Sequence, residues 1–557
     1  MIRDLAESSA DAFPDYDLCV VGSGPAGITL VRELAASGLR IALLESGRRR
    51  PTPAADALRE VSSSGLPIKD YSRERVLGGT SSTWAGLSSP LDDIDLEARP
   101  WLAAARDGWP IPRAELEPCW RAASDHYRFA PYAEFESAAF DFLRERGDRA
   151  LRWEQISEKV FRAASEAQHF GKEWGHVCED NGPDLWLDAS VLRLNAEPGT
   201  RRIASVTVRN SRGTDRELRA RAFVLAAGGI ENARLLLLST DLCAAGLGNA
   251  HDQVGRGFMN HPKDNHGIVT LKEPLRELPA HFGCLHQGYA GYLGLRLRSE
   301  RQREQQLLNS YVRFEPLFPW SDRQGVEAFV LLVKSSSGLF KRWKEKHEDD
   351  VVTLRDYSET GDDSDLQNQR KSLLGWLGVI GLVLRDIVPV TRYVLARLAR
   401  KAPLVRRVRL RNFMEMEPHP DNRVTLSSTE VDAFGSPRAH VHHETTALDR
   451  RSLVALHAQL GEELEAQGFG SLHSELRALD DFPIQLDASH HLGTTAMGHD
   501  PQRSVVDPNL RVHDVPNLWC AGGSVFPTSG CANPTYTIVA LSIRLAAHLE
   551  SELKVRP

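Results

Sequence analysis

Residues 17–45 read DLCVVGSGPAGITLVRELAASGLRIALLE, and this stretch decides the fold. Two short apolar runs, Leu18–Val21 and Ile41–Leu44, each have the length of a buried strand. The residues between them contain a GxGxxG pattern, made of Gly22, Gly24 and Gly27. Glycines there allow a tight turn and a close approach of the backbone to a diphosphate at a helix N-terminus. The stretch therefore predicts a βαβ unit that binds a dinucleotide.

Glu45, at the end of the second predicted strand, supports the same interpretation. It follows the third glycine by about 20 residues, the spacing at which a carboxylate binds an adenosine ribose hydroxyl. The glycine pattern alone is weak evidence, but here it has the strand–turn–helix–strand context that the motif requires. The motif does not distinguish FAD from NAD.

Length and composition limit the class of protein. The chain has 557 residues, enough for two or more domains or one large two-lobed enzyme. Its net charge of −7 does not favour nucleic-acid binding. Seven cysteines without a CxxC pair indicate neither a disulfide framework nor a zinc site, so we expect no metal. Residues 1–16 lack the apolar core of a signal peptide and the run 372–384 is too short to span a bilayer, so we expect a cytoplasmic protein.

Two further glycine-rich turns follow the βαβ unit. The first combines exposed backbone amides with small side chains, as in a loop against a phosphate or a planar ring, and contains Gly78, Gly79, Thr80 and Ser81. A surface turn without function is the alternative for this loop. The second is a strand–glycine–helix transition at 226–234, where we expect the chain to re-enter the same sheet.

Strand, helix and turn signals indicate five segments, and the family resemblance described below implies how they group into domains. Residues 14–95, 176–264 and 481–557 are assigned to one dinucleotide-binding domain, 96–175 to a largely helical segment on the substrate side, and 265–480 to a substrate-binding domain. Within the last segment, 336–411 is interpreted as a helical insertion with acidic, apolar and basic parts. We interpret it as cap helices over the substrate domain or as a surface that contacts a membrane or a partner.

Candidate chemistry is concentrated near the C-terminus. His490 and His491 precede a glycine, and some forty residues later Asn533, Pro534 and Thr535 open an apolar helix. These residue types are favourable at a helix N-terminus, whose positive dipole end stabilises negative charge. A lone histidine is more often structural, but a histidine pair that is followed by this helix start is less easily dismissed as structural.

Taken together, these motifs resemble the glucose–methanol–choline (GMC) oxidoreductase family. The resemblance covers nearly the whole chain and rests on the first glycine motif, the Gly78–Gly79 loop, 225–229, 257–262 and the C-terminal residues. The Asn533-Pro-Thr ending resembles the branch of pyranose oxidase, fructose dehydrogenase and glycoside 3-oxidase. The resemblance implies an α/β fold: a discontinuous Rossmann-type FAD-binding domain with an inserted α+β substrate domain on an antiparallel sheet.

The resemblance also implies site residues. His490 matches the family's catalytic base and Asn533 its second catalytic residue, while His491 is the less favoured neighbour. The implied FAD-binding residues are Gly22, Gly24, Gly27, Glu45, Gly78, Gly79, Thr80, Ser81, Trp84, Val191, Ala227, Gly228, Gly522, Gly523, Asn533, Pro534 and Thr535. Thr83 stands where some members attach FAD to a histidine, which predicts non-covalent FAD. Ala496 stands where related dehydrogenases often have an arginine.

These residues predict FAD-dependent oxidation of a secondary alcohol of a sugar, glycoside or polyol. His490 takes the hydroxyl proton, Asn533 donates a hydrogen bond to the same oxygen, and hydride passes to flavin N5. The alternatives are a GMC-type enzyme that tailors an alcohol of a secondary metabolite, and a non-redox flavoprotein lyase. Dioxygen, a quinone or a protein is the expected electron acceptor, and the chain is a candidate homo-oligomer.

Overall fold

The fold is seen in a computed structural model of the chain. It describes all residues except 9–11, 70–71, 145–150, 165, 180–181, 277, 336–372, 400–402, 477–488 and 556–557. The predicted βαβ unit is present as strand β2 (Tyr16–Val21), helix α1 (Pro25–Glu33) and strand β3 (Ile41–Leu44). The two strands pair in parallel, and a proline in the first turn of the helix fits the start of α1.

The first sheet collects strands from three distant parts of the chain. Besides β2 and β3 it contains β1 (Ile2–Asp4), β6 (Asp184–Leu187), β7 (Ser190–Ala196), β8 (Ile203–Arg209), β9 (Asp215–Leu225) and β19 (Leu518–Cys520). The order is β1-β6-β3-β2-β9-β8-β7, and β19 also pairs with β9. Pairing is parallel from β1 through β9 and to β19, and antiparallel among β7, β8 and β9. The Rossmann-type domain is therefore discontinuous, as predicted.

Helices cover this sheet. Helix α1 packs against the C-terminal helix α14 (Thr535–Val555), which packs in turn against α4 (Arg113–Tyr127). The Tyr536 hydroxyl donates to the Trp120 carbonyl at 2.7 Å and so anchors the first turn of α14. The remaining helices are α2 (Pro53–Ala57), α3 (Asp93–Leu96), α5 (Asp141–Arg144), α6 (Phe170–Glu173), α7 (Glu231–Leu238), α8 (Pro279–Phe282), α9 (Ser299–Gln305), α10 (Gln324–Ser335), α11 (Leu373–Arg385), α12 (Ile387–Leu398) and α13 (Ala447–Ala466).

A second, antiparallel sheet forms the inserted domain, and this confirms the predicted fold class. Its strands are β5 (Ile156–Ala164), β10 (Lys263–Asp264), β11 (Ile268–Leu275), β12 (Cys284–His286), β13 (Tyr289–Leu297), β14 (Tyr311–Leu317), β15 (Val405–Phe413) and β18 (Gly470–His473). The order is β12-β13-β14-β15-β11-β18, with β5 on β13 and β10 on β15. A small third sheet contains β4 (Ser62–Gly65), β16 (Arg423–Val431) and β17 (Pro437–His443).

Two helical predictions are wrong in part. Residues 156–164 of the segment predicted to be largely helical form β5, which is paired with β13 along its whole length. Residues 405–411 of the predicted helical insertion belong to β15, between β14 and β11. From 407 onward β15 alternates arginine with apolar or amide side chains, a period of two that fits a strand. In both segments, pairing with distant strands outweighs local helix propensity.

The rest of the 336–411 insertion is described only in part, because 336–372 and 400–402 lie outside the described residues. Val390 and Tyr393 of α12 are buried in the core beneath the second sheet. Leu384 of α11 and Leu398 of α12 are 64% and 77% exposed. The helix pair thus docks on the substrate domain with one side and leaves apolar side chains open on the other. Within the described ranges, the helices are all too short or too polar for a bilayer crossing.

Candidate active site

The first glycine motif leaves an open space in front of helix α1. A Cβ on Gly22 would lie 2.6 Å from the Ala226 carbonyl oxygen, and one on Gly27 would lie 1.9 Å from the Gly22 carbonyl oxygen. A Cβ on Gly24, by contrast, would meet nothing within 4 Å. Packing therefore requires the first and third glycines, and the second keeps the helix N-terminus accessible. The first N–H groups of α1 have no partner within the helix and can bind a diphosphate.

Glu45 is held beside this turn. Its buried carboxylate accepts hydrogen bonds from the Ser23 backbone N–H at 3.1 Å and from the Gly47 N–H at 2.7 Å. The Ser23 hydroxyl donates to the same carboxylate at 2.5 Å. These bonds fix the position of the carboxylate, which keeps further acceptor capacity for a ribose hydroxyl.

The Gly78–Gly79 loop lies against the first motif. The Gly78 N–H donates to the Ser23 carbonyl at 3.1 Å, and a Cβ on Gly79 would come within 3.0 Å of the Gly24 Cα. Ser81 donates to the Gly78 carbonyl, and Thr80 lies half-buried in the same short turn. The indole of Trp84 donates to the Gln168 carbonyl at 2.6 Å. Ser81 and Trp84 therefore support the loop through bonds within the protein.

Asn232, which the sequence analysis did not single out, joins the remaining glycine turns. Its side-chain oxygen accepts from the Ala227 N–H at 2.8 Å, and its side-chain nitrogen donates to the Ala521 carbonyl at 3.0 Å. A Cβ on Gly228 would meet nothing within 4 Å, and one on Gly522 would meet only Ala26 of α1, at 3.9 Å. Both glycines thus leave open space, with Gly522 facing the start of α1.

The other predicted cofactor residues fall in three places. Val191 lies on strand β7, where it pairs with Val208 of β8. Gly523 begins a short turn after β19. The start of α14 contains the last three residues, Asn533, Pro534 and Thr535. Open glycines, an accessible helix N-terminus and a buried carboxylate together fit a dinucleotide. Their arrangement provides a groove for the diphosphate and an acceptor for the ribose.

A cavity with about 670 Å³ of empty space, part of it continuous with solvent, lies between the two domains. His490 and Asn533 both line it, together with Ala85 and Leu87, which follow the Gly78–Gly79 loop. His491 is not among the lining residues, and its ring packs against Phe258 with 5.8 Å between centroids. The structure therefore brings His490 and Asn533 to one cavity and directs His491 elsewhere.

His261 contacts His490 and determines which of its nitrogens carries a proton. The two Nδ1 atoms are 2.7 Å apart, and His261 Nε2 lies 2.9 Å from the Gly530 carbonyl oxygen. Because a carbonyl only accepts, His261 Nε2 carries the hydrogen, and the Nδ1 of neutral His261 is an acceptor. His490 Nδ1 must then donate to it, which leaves a lone pair on His490 Nε2. This is the tautomer that a general base needs.

Burial and nearby charge keep both rings neutral. Burial lowers the pKa of His261 to about 4. Burial also lowers the pKa of His490 well below its ordinary value, and His261 and Lys263 lower it further. The Asn260 side-chain oxygen accepts from the backbone N–H groups of His261 and His490, at 2.9 and 3.0 Å. One amide thus holds the two histidine-bearing segments together.

A buried ion pair contacts the peptide that binds His261. Arg99 and Glu415 are fully buried and form a bidentate contact at 2.6 and 2.9 Å. Glu415 also accepts from the Gly530 N–H at 3.2 Å, and the Gly530 carbonyl accepts from His261. The ion pair therefore fixes the peptide that orients His261.

Asn533 differs from these residues because its side chain is free to bind a ligand. It is half-buried at the entrance to α14, and its amide makes no hydrogen bond to any residue that the structure describes. An amide with this freedom and a neutral histidine in the lining of one cavity provide a hydrogen-bond donor and a proton acceptor for the same ligand.

Comparisons with known proteins agree with this geometry. Residues 17–259 match the sequence model of an FAD binding domain, and residues 418–542 match that of GMC oxidoreductase. The chain is 26% identical to the fructose dehydrogenase large subunit of Gluconobacter japonicus over 379 residues, 68% of this chain and 56% of that protein. It is 33% identical to C-glycoside 3-oxidase of Arthrobacter globiformis over 150 residues, 25% of this chain and 26% of that protein. The predicted likeness to this branch is confirmed.

A solved structure, pyridoxine 4-oxidase from Mesorbium loti, has the same fold, with a TM-score of 0.52 at 17% identity over 96% of this chain and 99% of that one. The alignment with the fructose dehydrogenase subunit spans little more than half of that protein's length, 56%. The match to the FAD-binding model identifies FAD, rather than NAD, as the dinucleotide that the glycine groove and Glu45 would bind. Together these matches support the glucose–methanol–choline oxidoreductase family, and within it the sugar oxidase branch, as the family that this chain resembles.

Proposed function

We propose that this protein uses FAD to oxidise a secondary alcohol of a sugar, glycoside or polyol to a ketone. The observation that carries the proposal is the cavity that is lined both by His490, with a lone pair on Nε2, and by Asn533, whose amide has no hydrogen bond to the described residues. Fructose dehydrogenase and C-glycoside 3-oxidase, two similar proteins, have sugar-related names. The groove for the dinucleotide adjoins this cavity, since the Gly78–Gly79 loop lies against the first glycine motif and Ala85 and Leu87, which follow that loop, line the cavity.

Two residues of the cavity have different roles in the reaction of the alcohol. His490 Nε2 accepts the hydroxyl proton, and the Asn533 amide donates a hydrogen bond to the same oxygen as its charge rises. His490 Nδ1 continues to donate to His261, so the imidazole keeps its orientation during the transfer. When bound, FAD supplies the hydride acceptor. The walls of the cavity hold the carbon that carries the hydroxyl at the reacting position.

Anaerobic mixing of the holoenzyme with sugars, glycosides and larger aglycone alcohols tests this proposal. A substrate should bleach the visible absorbance of FAD in the absence of any acceptor. A flavoprotein lyase, the non-redox alternative, would turn over its substrate while the flavin stays yellow. Bleaching by scaffold alcohols alone would favour the tailoring of a secondary metabolite. Reoxidation by dioxygen, a quinone or a redox protein then identifies the acceptor.

Non-covalent attachment of FAD is the first prediction. Thr83 is exposed at the position of a linking histidine, and its hydroxyl donates to the Thr80 carbonyl at 3.3 Å. Threonine lacks the ring nitrogen that forms the bond to the flavin in the linked members. Acid precipitation should therefore release all yellow colour into the supernatant. Colour that stays in the pellet would contradict the prediction.

The second prediction concerns Asn533→Ala. Loss of one donor to a developing oxyanion should slow flavin reduction by about 10²–10³-fold, measured by stopped flow with saturating alcohol. Asn195→Ala is the control, because Asn195 is half-buried on β7 and does not line the cavity. The double variant with His490→Ala should lose less than the product of both factors, because the two groups act on one oxygen. Strict multiplication would show that they act independently.

The third prediction is a pH profile. A general base acts when unprotonated, and the pKa of His490 lies well below its ordinary value of 6.5. The rate of flavin reduction should therefore stay constant as the pH falls through 6.5 and decline only in more acidic buffer. Lys263→Met removes a positive charge that lowers this pKa, so the acid limb should move to higher pH. A wild-type limb centred at or above 6.5 would contradict a buried neutral base.

A further inference from the structure

The cavity has a positive lining on the side of the substrate domain. Lys263, Arg313 and Arg411 line it, together with aromatic residues. Its lining includes no aspartate or glutamate among the residues that the structure describes. A buried charge is normally paired, so a lining with three cations and no carboxylate of its own requires compensating negative charge from elsewhere.

Arg313 shows this imbalance most clearly. It is 6% exposed, and its guanidinium lies over the ring of Tyr292 at 4.5 Å from the centroid. It makes no hydrogen bond or ion pair within the described part of the chain, and its Nε is buried without a partner. Burial lowers the pKa of this guanidinium, and Arg411 lowers it further. Among the residues that the structure describes, the side chain therefore has no acceptor for its donors.

The pairing of β14 with β15 places like charges opposite each other at this point. Arg313 is the register partner of Arg411, an arrangement that destabilises an antiparallel pair. The next pair on the same face, Glu315 and Arg409, is complementary, with a 2.9 Å contact. The two strands thus pair opposite charges at Glu315 and Arg409, but at the cavity they place two arginines opposite each other.

We propose that the cavity binds an alcohol substrate that carries an oxyanion, a carboxylate or a phosphate, with Arg313 as its main ligand. This inference rests on the proposed function, because it places the anion and the reacting hydroxyl in one cavity. The planar guanidinium offers two parallel donors that match a carboxylate or a phosphate. Arg411 and Lys263 add positive charge beside it.

The phosphates of FAD are not the anion in question. Gly22, Gly24 and Gly27, which form the diphosphate groove, are absent from the lining of this cavity. Arg313 and Arg411 lie on the antiparallel sheet of the inserted domain, whereas the groove belongs to the first sheet. The cations therefore belong to the side of the cavity that the inserted domain forms.

Equilibrium binding to the oxidised holoenzyme tests the proposal without turnover. The probes are D-glucose, D-glucuronate, D-glucose 6-phosphate and inorganic phosphate, titrated by calorimetry and by perturbation of the flavin spectrum. We expect at least one anionic sugar to bind about 10–100-fold more tightly than D-glucose, the range of hydrogen bonds to charged groups. The preference for glucuronate or for glucose 6-phosphate distinguishes a carboxylate ligand from a phosphate ligand. Inorganic phosphate should compete with the preferred sugar.

Variants assign the preference to Arg313. Arg313→Gln should remove the difference between charged and neutral sugars, and Arg313→Lys should retain part of it. Arg407→Gln, which removes an exposed charge from the neighbouring strand β15 outside the cavity, should leave it unchanged. FAD content is measured for each variant, and loss of FAD from Arg313→Gln would overturn the proposal. If this variant does not fold, the competition by phosphate in the wild-type protein decides.

The outcomes separate the anion site from the oxidation. Equal binding of neutral and anionic sugars, or an anion preference that survives Arg313→Gln, overturns the anion site. If sugars bleach the flavin but show no such preference, the proposed oxidation stands and the anion site fails. If the anions bind as expected but no alcohol bleaches the flavin, the anion site stands and the oxidation fails.

Discussion

His490→Ala should slow the anaerobic reduction of FAD by an alcohol about 10²–10⁴-fold, the usual contribution of a general base. The lone pair on His490 Nε2 is the acceptor for the hydroxyl proton, and alanine leaves only water in its place. Stopped-flow measurement of flavin bleaching reports this step directly. FAD content and thermal stability should change little, because the role of the side chain is chemical.

His491→Ala is the matched control for this variant. It removes an imidazole from the adjacent position, but the ring of His491 packs against Phe258 and does not line the cavity. We therefore expect no comparable loss of rate. A rate loss in His491→Ala but not in His490→Ala would identify His491, rather than His490, as the general base. Loss of FAD or unfolding in His490→Ala, before any effect on the rate, would make His490 a packing residue of the flavin site.

The parts of this site that the sequence predicts are those with a local pattern. Gly22, Gly24 and Gly27 lie within six residues of chain, and the strands around them are short apolar runs. Their backbone conformation is dictated by neighbours in sequence, so the pattern alone predicts the turn and the helix N-terminus. His490 and Asn533 have no such pattern, and their roles came from the family resemblance.

Contacts between distant residues left no signal in the sequence. His261 and His490 are 229 positions apart, and they meet because Met259 and Leu492 form an isolated antiparallel bridge beside them. His261 lies in the 257–262 motif noted in the sequence, but nothing there shows that it contacts the catalytic candidate. The same limit explains β5, whose strand conformation depends on its pairing with β13. The contact between His261 and His490 and the strand conformation of β5 both depend on pairing between distant segments, which local sequence patterns do not show.

Glu415→Ala has the largest expected effect on stability. Arg99 and Glu415 are fully buried, and removal of one partner leaves the other charge without compensation. Such a loss costs about 3–5 kcal/mol of the free energy of unfolding. The Gly530 and Asn309 N–H groups also lose their acceptor. Chemical denaturation of the holoenzyme, followed by circular dichroism and flavin fluorescence, measures the change.

Glu97→Ala is the matched control, because Glu97 belongs to an ion pair with the same bidentate geometry but with exposed side chains. Glu97 and Arg303 also form a bidentate contact, at 2.7 and 2.9 Å, but each side chain is 40% exposed. Solvent screens an exposed pair, so its loss should cost only about 0–1 kcal/mol. Equal costs for Glu97→Ala and Glu415→Ala would show that the buried pair does not anchor the fold.

The double variant Arg99→Leu/Glu415→Leu separates stability from catalysis. Two apolar side chains remove both buried charges, so this variant should be more stable than Glu415→Ala. Leucine cannot accept from the Gly530 N–H, however, so the peptide that orients His261 through its carbonyl remains loose. Flavin reduction should therefore stay slower than in the wild type even where stability has recovered. Full recovery of both stability and the rate of flavin reduction would mean that His261 needs no support from the ion pair. The chain of contacts from Glu415 to His490 would then not affect catalysis.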